Sequence, residues 1–115
     1  MTEAEIMKKV LRRLENLTMT GDIVWYSRLN SGKINVGRAW VQLCKAGTPD
    51  IIAIVKCDNG KIATLFIECK RAGVKKLSYE QRVFFENMEN KPMVLCKLIN
   101  NPEQLWPAIR EASGL

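Results

Sequence analysis

The chain contains no histidine, which removes the usual proton carrier at neutral pH and any Ser–His nucleophile arrangement. Base catalysis by this sequence must fall to a metal-bound hydroxide, a lysine or a carboxylate. The cysteines at positions 44, 57, 69 and 96 have no Cys-x-x-Cys spacing. Without histidine to complete a ligand set, zinc would need four separated thiolates, so these cysteines are read as reduced and mostly buried. No glycine-rich phosphate loop, internal repeat or low-complexity segment is present. No apolar run is long enough to span a membrane, and the charged N-terminal segment is unlike a secretory signal. An intracellular, cytoplasmic protein with no membrane partner is expected, cellular or phage-encoded and acting in the host cell.

What is present points to a polyanion. The 115 residues suit one domain, 1–115, with a modest core and no room for an appended specificity domain. A formal charge of +6 and a pI near 9.3 favour a nucleic-acid partner.

The densest chemistry lies between Gly47 and Gln81. Residues 50–56, Asp-Ile-Ile-Ala-Ile-Val-Lys, form a short apolar run expected to be a strand covered on both faces. Residues 61–67 supply its partner, and Asp58-Asn59-Gly60 suits a hairpin loop with Gly60 left-handed. That loop pairs Cys57 with Lys61, and following the ladder down sets Asp50 opposite Glu68 with Cβ atoms about 5 Å apart. Glu68 and Lys70 then share a face while Cys69 points the other way. A two-residue Asn59-Gly60 loop would instead set Asp50 against Cys69, so the register is a test of this reading.

Two carboxylates held that close repel unless one is protonated or a cation lies between them. A hard divalent ion resolves this, and Mg²⁺ or Mn²⁺ suits one or two carboxylates plus waters and phosphate oxygens. Lys70 beside the pair is placed to orient or deprotonate an attacking water or to neutralise a phosphate.

The flanking helices add candidates. Thr2-x-x-Glu5 reads as a capping box opening a helix whose apolar stripe is Ile6, Met7, Val10, Leu14 and Leu17, with Glu3 at the end of that stripe. Lys8, Lys9, Arg12 and Arg13 are read as the opposite, solvated face first and a phosphate contact second. A second box, Ser78 to Gln81, precedes Val83, Phe84 and Met88. Lys75, Lys76 and Arg82 flank that helix start, where a backbone-phosphate contact is expected. Residues 25–45 mix Trp25, Tyr26, Arg28, Asn30, Lys33, Arg38, Trp40 and Lys45 around a Ser31-Gly32-Lys33 turn. Arg28, Lys33, Arg38 and Lys45 are candidate nucleic-acid contacts, whereas Trp25 and Trp40, with Val24 and Val41, are expected in the core. Pro92 to Cys96 reads as a strand returning parallel to a central one. Asn101-Pro102 starts a last helix, ended by Gly114, with Leu105, Trp106 and Ile109 as its core side.

Pro49-Asp50 followed by Glu68-Cys69-Lys70 resembles the PD-(D/E)XK nuclease superfamily. With Gly37-Arg38, Gly47-Thr48-Pro49-Asp50, Ile67-Glu68-Cys69-Lys70 and Leu77-Ser78-Tyr79-Glu80-Gln81, the chain more narrowly resembles the VRR-NUC domain, from Glu3 to about residue 100. The resemblance implies an α/β, restriction-endonuclease-like core with a central mixed sheet of about four strands flanked by helices. It implies Glu3 as a first-helix acid assisting the metal, Gln81 reaching back toward the site, the Cys69 carbonyl as a further metal ligand, and a homodimer cutting opposed strands. With no base-reading helix or target-recognition domain evident, structure-selective cleavage of branched DNA such as a Holliday junction is expected. The rival expectations are a sequence-specific restriction-like nuclease and a basic nucleic-acid-binding module whose acids are structural.

Overall fold

Thr2 begins the first helix as its side chain suggests. Its hydroxyl accepts from the Glu5 N–H at 3.2 Å, and the Glu5 carboxylate accepts from the Thr2 N–H at 3.2 Å, closing a reciprocal cap. The computed structural model describes residues 1–29, 33–42 and 44–115. Helix α1 (Glu3–Thr20) buries Ile6, Met7, Val10 and Leu14, at helical spacing. The strands are β1 (Ile23–Arg28), β2 (Lys33–Val36), β3 (Ala39–Gln42), β4 (Ile51–Lys56), β5 (Ile62–Cys69) and β6 (Val94–Ile99). Helix α2 (Tyr79–Glu89) connects β5 to β6, and α3 (Leu105–Ser113) follows a 3₁₀ turn at Pro102–Gln104.

The main sheet has the order β1-β4-β5-β6. β1 and β4 are antiparallel, β4 and β5 are antiparallel, and β5 and β6 are parallel. The molecule is thus an α/β fold with a central mixed four-stranded sheet flanked by helices. Alternation divides the sheet into two unlike faces. Ile51, Ala53, Val55, Ala63, Leu65, Ile67 and Cys69 are buried beneath α1 and α3. Ile52, Ile54, Thr64 and Phe66 are only half-buried. Helix α2 covers part of that second face, with Phe84 edge-on to Phe66 at 5.0 Å between ring centroids, and it contributes no fully buried residue.

The β4–β5 turn has the expected geometry. The Cys57 N–H donates to the Lys61 carbonyl at 2.8 Å, the Gly60 N–H to the Cys57 carbonyl at 3.1 Å, and Gly60 has φ 84°. Ile51 therefore lies opposite Ile67 and Lys56 opposite Ile62. Extending the ladder one residue sets Asp50 against Glu68, as a three-residue loop requires.

Several expectations are corrected. Trp25 and Trp40 are 53% and 68% exposed and do not belong to the core. Trp25 lies on the edge strand β1 opposite Ile54, on the thinly covered face, beside a bulge that also exposes Val24. Trp40 lies in a separate two-stranded ladder of β2 and β3, opposite Asn35. In α3 the buried stripe is Leu105, Ala108, Ile109 and Ala112. Trp106, about 100° round the helix from Leu105, is instead exposed, its ring 6.0 Å from the Arg110 guanidinium carbon. The last strand begins at Val94 and runs on to Ile99, later than the 92–96 expected. Cys57 and Cys69 are buried, while Cys44 and Cys96 are half-buried; all four are free thiols. Asn30, Ser31, Gly32 and Leu43 lie outside the described residues, as do the side chains of Lys33 and Val41; the expected Ser31-Gly32-Lys33 turn and the expected burial of Val41 fall among them. Among the described residues no helix is long and apolar enough to cross a membrane.

Candidate metal centre

Asp50 is held by backbone on both sides. Its carbonyl accepts from the Leu29 N–H at 2.7 Å, just past the end of β1. Its Oδ2 accepts from the Cys69 N–H at 2.8 Å, tying the side chain to β5. Glu68 is 3% exposed. Its Oε1 accepts from the Gln81 side-chain amide at 2.9 Å, whereas Oε2 is buried and meets no donor. The first turn of α1 brings Glu3 to the same place. Carboxylate oxygens of Glu3, Asp50 and Glu68 all lie within 4.8 Å of one another.

Gln81 is the hinge pin of the opposite wall. Its Nε2 donates to Glu68 as above, and its Oε1 accepts from the Lys70 ammonium at 2.9 Å and from the Ser78 N–H at 2.8 Å. The Gln81 N–H in turn donates to the Ser78 hydroxyl at 3.3 Å. Capping and reaching back into the site are thus roles of one side chain. It fixes the rotamers of Glu68 and Lys70 together, a supporting shell of the kind that orients ligands.

The loop that delivers Asp50 is clamped to the helix that delivers Gln81. Gly47 has φ 88°, and a Cβ there would stand 2.4 Å from the Glu80 carbonyl oxygen. No other residue type fits against the first turn of α2 without moving it. Thr48 closes the same loop, its N–H and hydroxyl both donating to the Lys45 carbonyl, at 3.1 and 2.6 Å.

Electrostatically the cluster is frustrated. Burial first, then the neighbouring Asp50 carboxylate and the proximity of Glu3, push the Glu68 carboxyl up to about 8, with Lys70 opposing. Glu68 Oε2 is buried with no donor, and carboxylates crowded this closely repel one another; a proton or a bound cation relieves it. The donor set is all hard carboxylate oxygen and could hold a metal ion, without specifying which. The Cys69 thiol is no part of the set, since it lies on the other face and burial pushes it up to about 12.

A raised acid gives a signed expectation. Between the ordinary value of 4.5 and about 8, the folded chain keeps a proton on Glu68 that the unfolded chain has released. Metal-free protein should accordingly lose stability as pH rises through that window, then level off. Thermal melts in EDTA across this range should show the decline, and Glu68→Gln should flatten it. A melting temperature that is flat for the parent chain would contradict the crowding of Glu3, Asp50 and Glu68.

A groove of about 510 Å³ opens beside the acids, lined by Glu3, Met7, Lys8, Leu11, Arg28 and Asp50, with Ala4. The structure thus unites Glu3, Asp50, Glu68, Lys70 and Gln81, and among the expected nucleic-acid contacts it sets Arg28 at the site. Arg38, Lys45, Lys75, Lys76 and Arg82 are exposed, and none of them lines this groove. Lys8 is exposed, as the reading of α1 expects, and it also lines the groove. Its signal was in the sequence: Lys8 follows Ala4 by four residues and precedes Leu11 by three, so it borders the stripe that carries Glu3. Arg13, by contrast, is engaged by Glu103 at 2.8 Å.

Comparisons with protein-family models, curated proteins and solved structures find no match to this chain.

Proposed function

We propose that the chain is a metal-dependent DNA endonuclease of the PD-(D/E)XK type, akin to VRR-NUC domains, hydrolysing phosphodiester bonds in a single displacement. The observation that carries this reading is the convergence of carboxylate oxygens of Glu3, Asp50 and Glu68 within 4.8 Å, with one Glu68 oxygen buried and without a donor and Lys70 locked alongside by Gln81. Asp50, Glu68 and, by the family resemblance, the Cys69 carbonyl would hold Mg²⁺ or Mn²⁺, with Glu3 assisting. The bound ion supplies charge stabilisation to the phosphate and acidifies a water.

The chain's own residues supply the rest. The Lys70 ammonium hydrogen-bonds the attacking water and counters charge on the phosphate. Gln81 holds that ammonium in place, so that Lys70 does not collapse onto Glu68 as an ion pair. Arg28 and Lys8, on the groove walls, meet phosphates flanking the cut. Branched DNA, such as a four-way junction, is the proposed substrate and a homodimer the proposed working form.

End-labelled four-way junctions, flaps, single strands and linear duplex, incubated with Mg²⁺, Mn²⁺ or EDTA, test this. Metal-dependent cutting is expected, strongest on branched substrates and lost in Lys70→Ala. Binding without cutting under every metal would leave a nucleic-acid-binding module as the better account, and defined cuts in linear duplex would favour a restriction-like enzyme.

A further inference from the structure

We propose that the exposed face of α1 between Lys8 and Arg12 is a phosphate track that carries the nucleic-acid backbone away from the acid cluster, with Lys8, Lys9 and Arg12 taking neighbouring phosphates. This rests on the reading of the acid cluster as a site that meets nucleic acid. Lys8 lines the groove beside Glu3 and Asp50, and it also lines a second concavity on the outer side of the same helix with Glu5, Lys9 and Arg12. The shared lysine borders both depressions, so the basic residues of the second lie next to the groove beside the acids. A strand whose phosphate sits at the cluster therefore has a basic path immediately beside it.

The charges on that path are not held in close ion pairs, although Lys9 lies near enough to Glu5 and Glu103 to favour their ionised forms. Among the described residues Lys8, Lys9 and Arg12 make no ion pair, although Arg13, next along, is spent on Glu103 at 2.8 Å. Glu5 is the acid of the second concavity, and its carboxylate is engaged by the Thr2 N–H at 3.2 Å in the helix cap. Lys8 and Arg12 stand one turn apart, about 6 Å along the axis, a spacing of the order of successive phosphates in a strand. Like charges a turn apart disfavour a helix; a bound polyanion turns that repulsion into attraction. Phosphate contacts of this kind position the strand and carry no base specificity, which suits cleavage governed by structure.

Binding of a fluorescent single strand and a fluorescent four-way junction to the intact chain in EDTA, over a salt series, tests the track. Lys9→Ala with Arg12→Ala should weaken binding about tenfold and flatten the dependence of log affinity on log salt by about 1.5. Lys9→Arg with Arg12→Lys should retain most of the affinity. Lys56→Ala with Lys61→Ala removes the same charge at the β4–β5 turn, the far end of the sheet from Asp50, and should change affinity less than about twofold. Equal weakening by both alanine pairs, or none by the α1 pair in a chain that melts normally, would overturn the track. Cleavage by the parent chain in Mg²⁺ is scored separately. Cutting with α1-independent binding sinks the track alone, while α1-dependent binding without cutting in any metal upholds the track and sinks the nuclease reading.

Discussion

Asp50→Asn is expected to reduce DNA cleavage by about a thousandfold, equivalent to about 4 kcal/mol of transition-state stabilisation, while leaving the chain folded and able to bind DNA. The substitution keeps the shape of the side chain and an oxygen able to accept from the Cys69 N–H, now met at 2.8 Å. What it removes is one negative charge from a cluster whose oxygens lie within 4.8 Å. Relief of that repulsion eases the burial of Glu68, whose carboxyl the Asp50 charge helps to push up. Stability should therefore rise, by about 1 kcal/mol or about 4 °C in melting temperature, and DNA should bind at least as tightly because an anion no longer faces the phosphate. Loss of activity with a gain in stability separates a functional carboxylate from a structural one. If Asp50→Asn instead lowers the melting temperature and cleaves normally, the acid belongs to the fold and not to the chemistry.

Gly47→Ala carries the second large effect, through position alone. Two costs add. A left-handed backbone at φ 88° disfavours any Cβ by about 1–2 kcal/mol, and the methyl would meet the Glu80 carbonyl oxygen at 2.4 Å, a backbone atom that cannot rotate aside. Together about 2–4 kcal/mol of stability should be lost. The chain that still folds must shift either the loop leading to Asp50 or the turn carrying Gln81, and a displacement near 1 Å at a reacting centre costs about a hundredfold in rate. Gly73 provides the comparison: it has φ 84° and open space around it, so Gly73→Ala should show the backbone strain without the loss of cleavage. Thermal melts and single-turnover rates on both variants check this, and equal behaviour of the two would show that the Gly47–Glu80 contact does not hold the site together.

These two positions also mark where the sequence was legible and where it was not. The Asp50–Glu68 pairing follows from loop length, because Asp58-Asn59-Gly60 sets the register and side-chain alternation carries it down two strands. The mixed sheet, the capping boxes at Thr2 and Ser78, and the convergence of Glu3 are likewise local patterns, or a resemblance, extended by simple geometry. Gly47 was visible only as a letter in a family-like motif. Its reason, a backbone-to-backbone approach to Glu80, depends on how α2 docks, which no local pattern encodes. Gln81 shows the same limit, since its cap is a spacing rule but its bonds to Glu68 and Lys70 need the tertiary fold.

The exposure of the tryptophans has a physical reason. Size and apolarity favour burial only where an element covers the strand, and α2 leaves the β1 end of its face open, exposing Trp25, while Trp40 sits on a ladder outside the main sheet. Trp106 is exposed by helix phase, one residue off the Leu105–Ile109 stripe. Lys8 is exposed, as its charge suggests, and its position on α1 also borders the groove.

The most direct measurement begins from a complex of the chain with an end-labelled four-way junction formed in EDTA, followed by addition of excess Mn²⁺ and quenching over time. The account predicts no cutting before the metal is added, cutting after it by the parent chain, and none by Glu68→Gln, whose complex still forms. Cutting in EDTA, or undiminished cutting by Glu68→Gln after Mn²⁺, would contradict a metal-dependent centre built on Asp50 and Glu68.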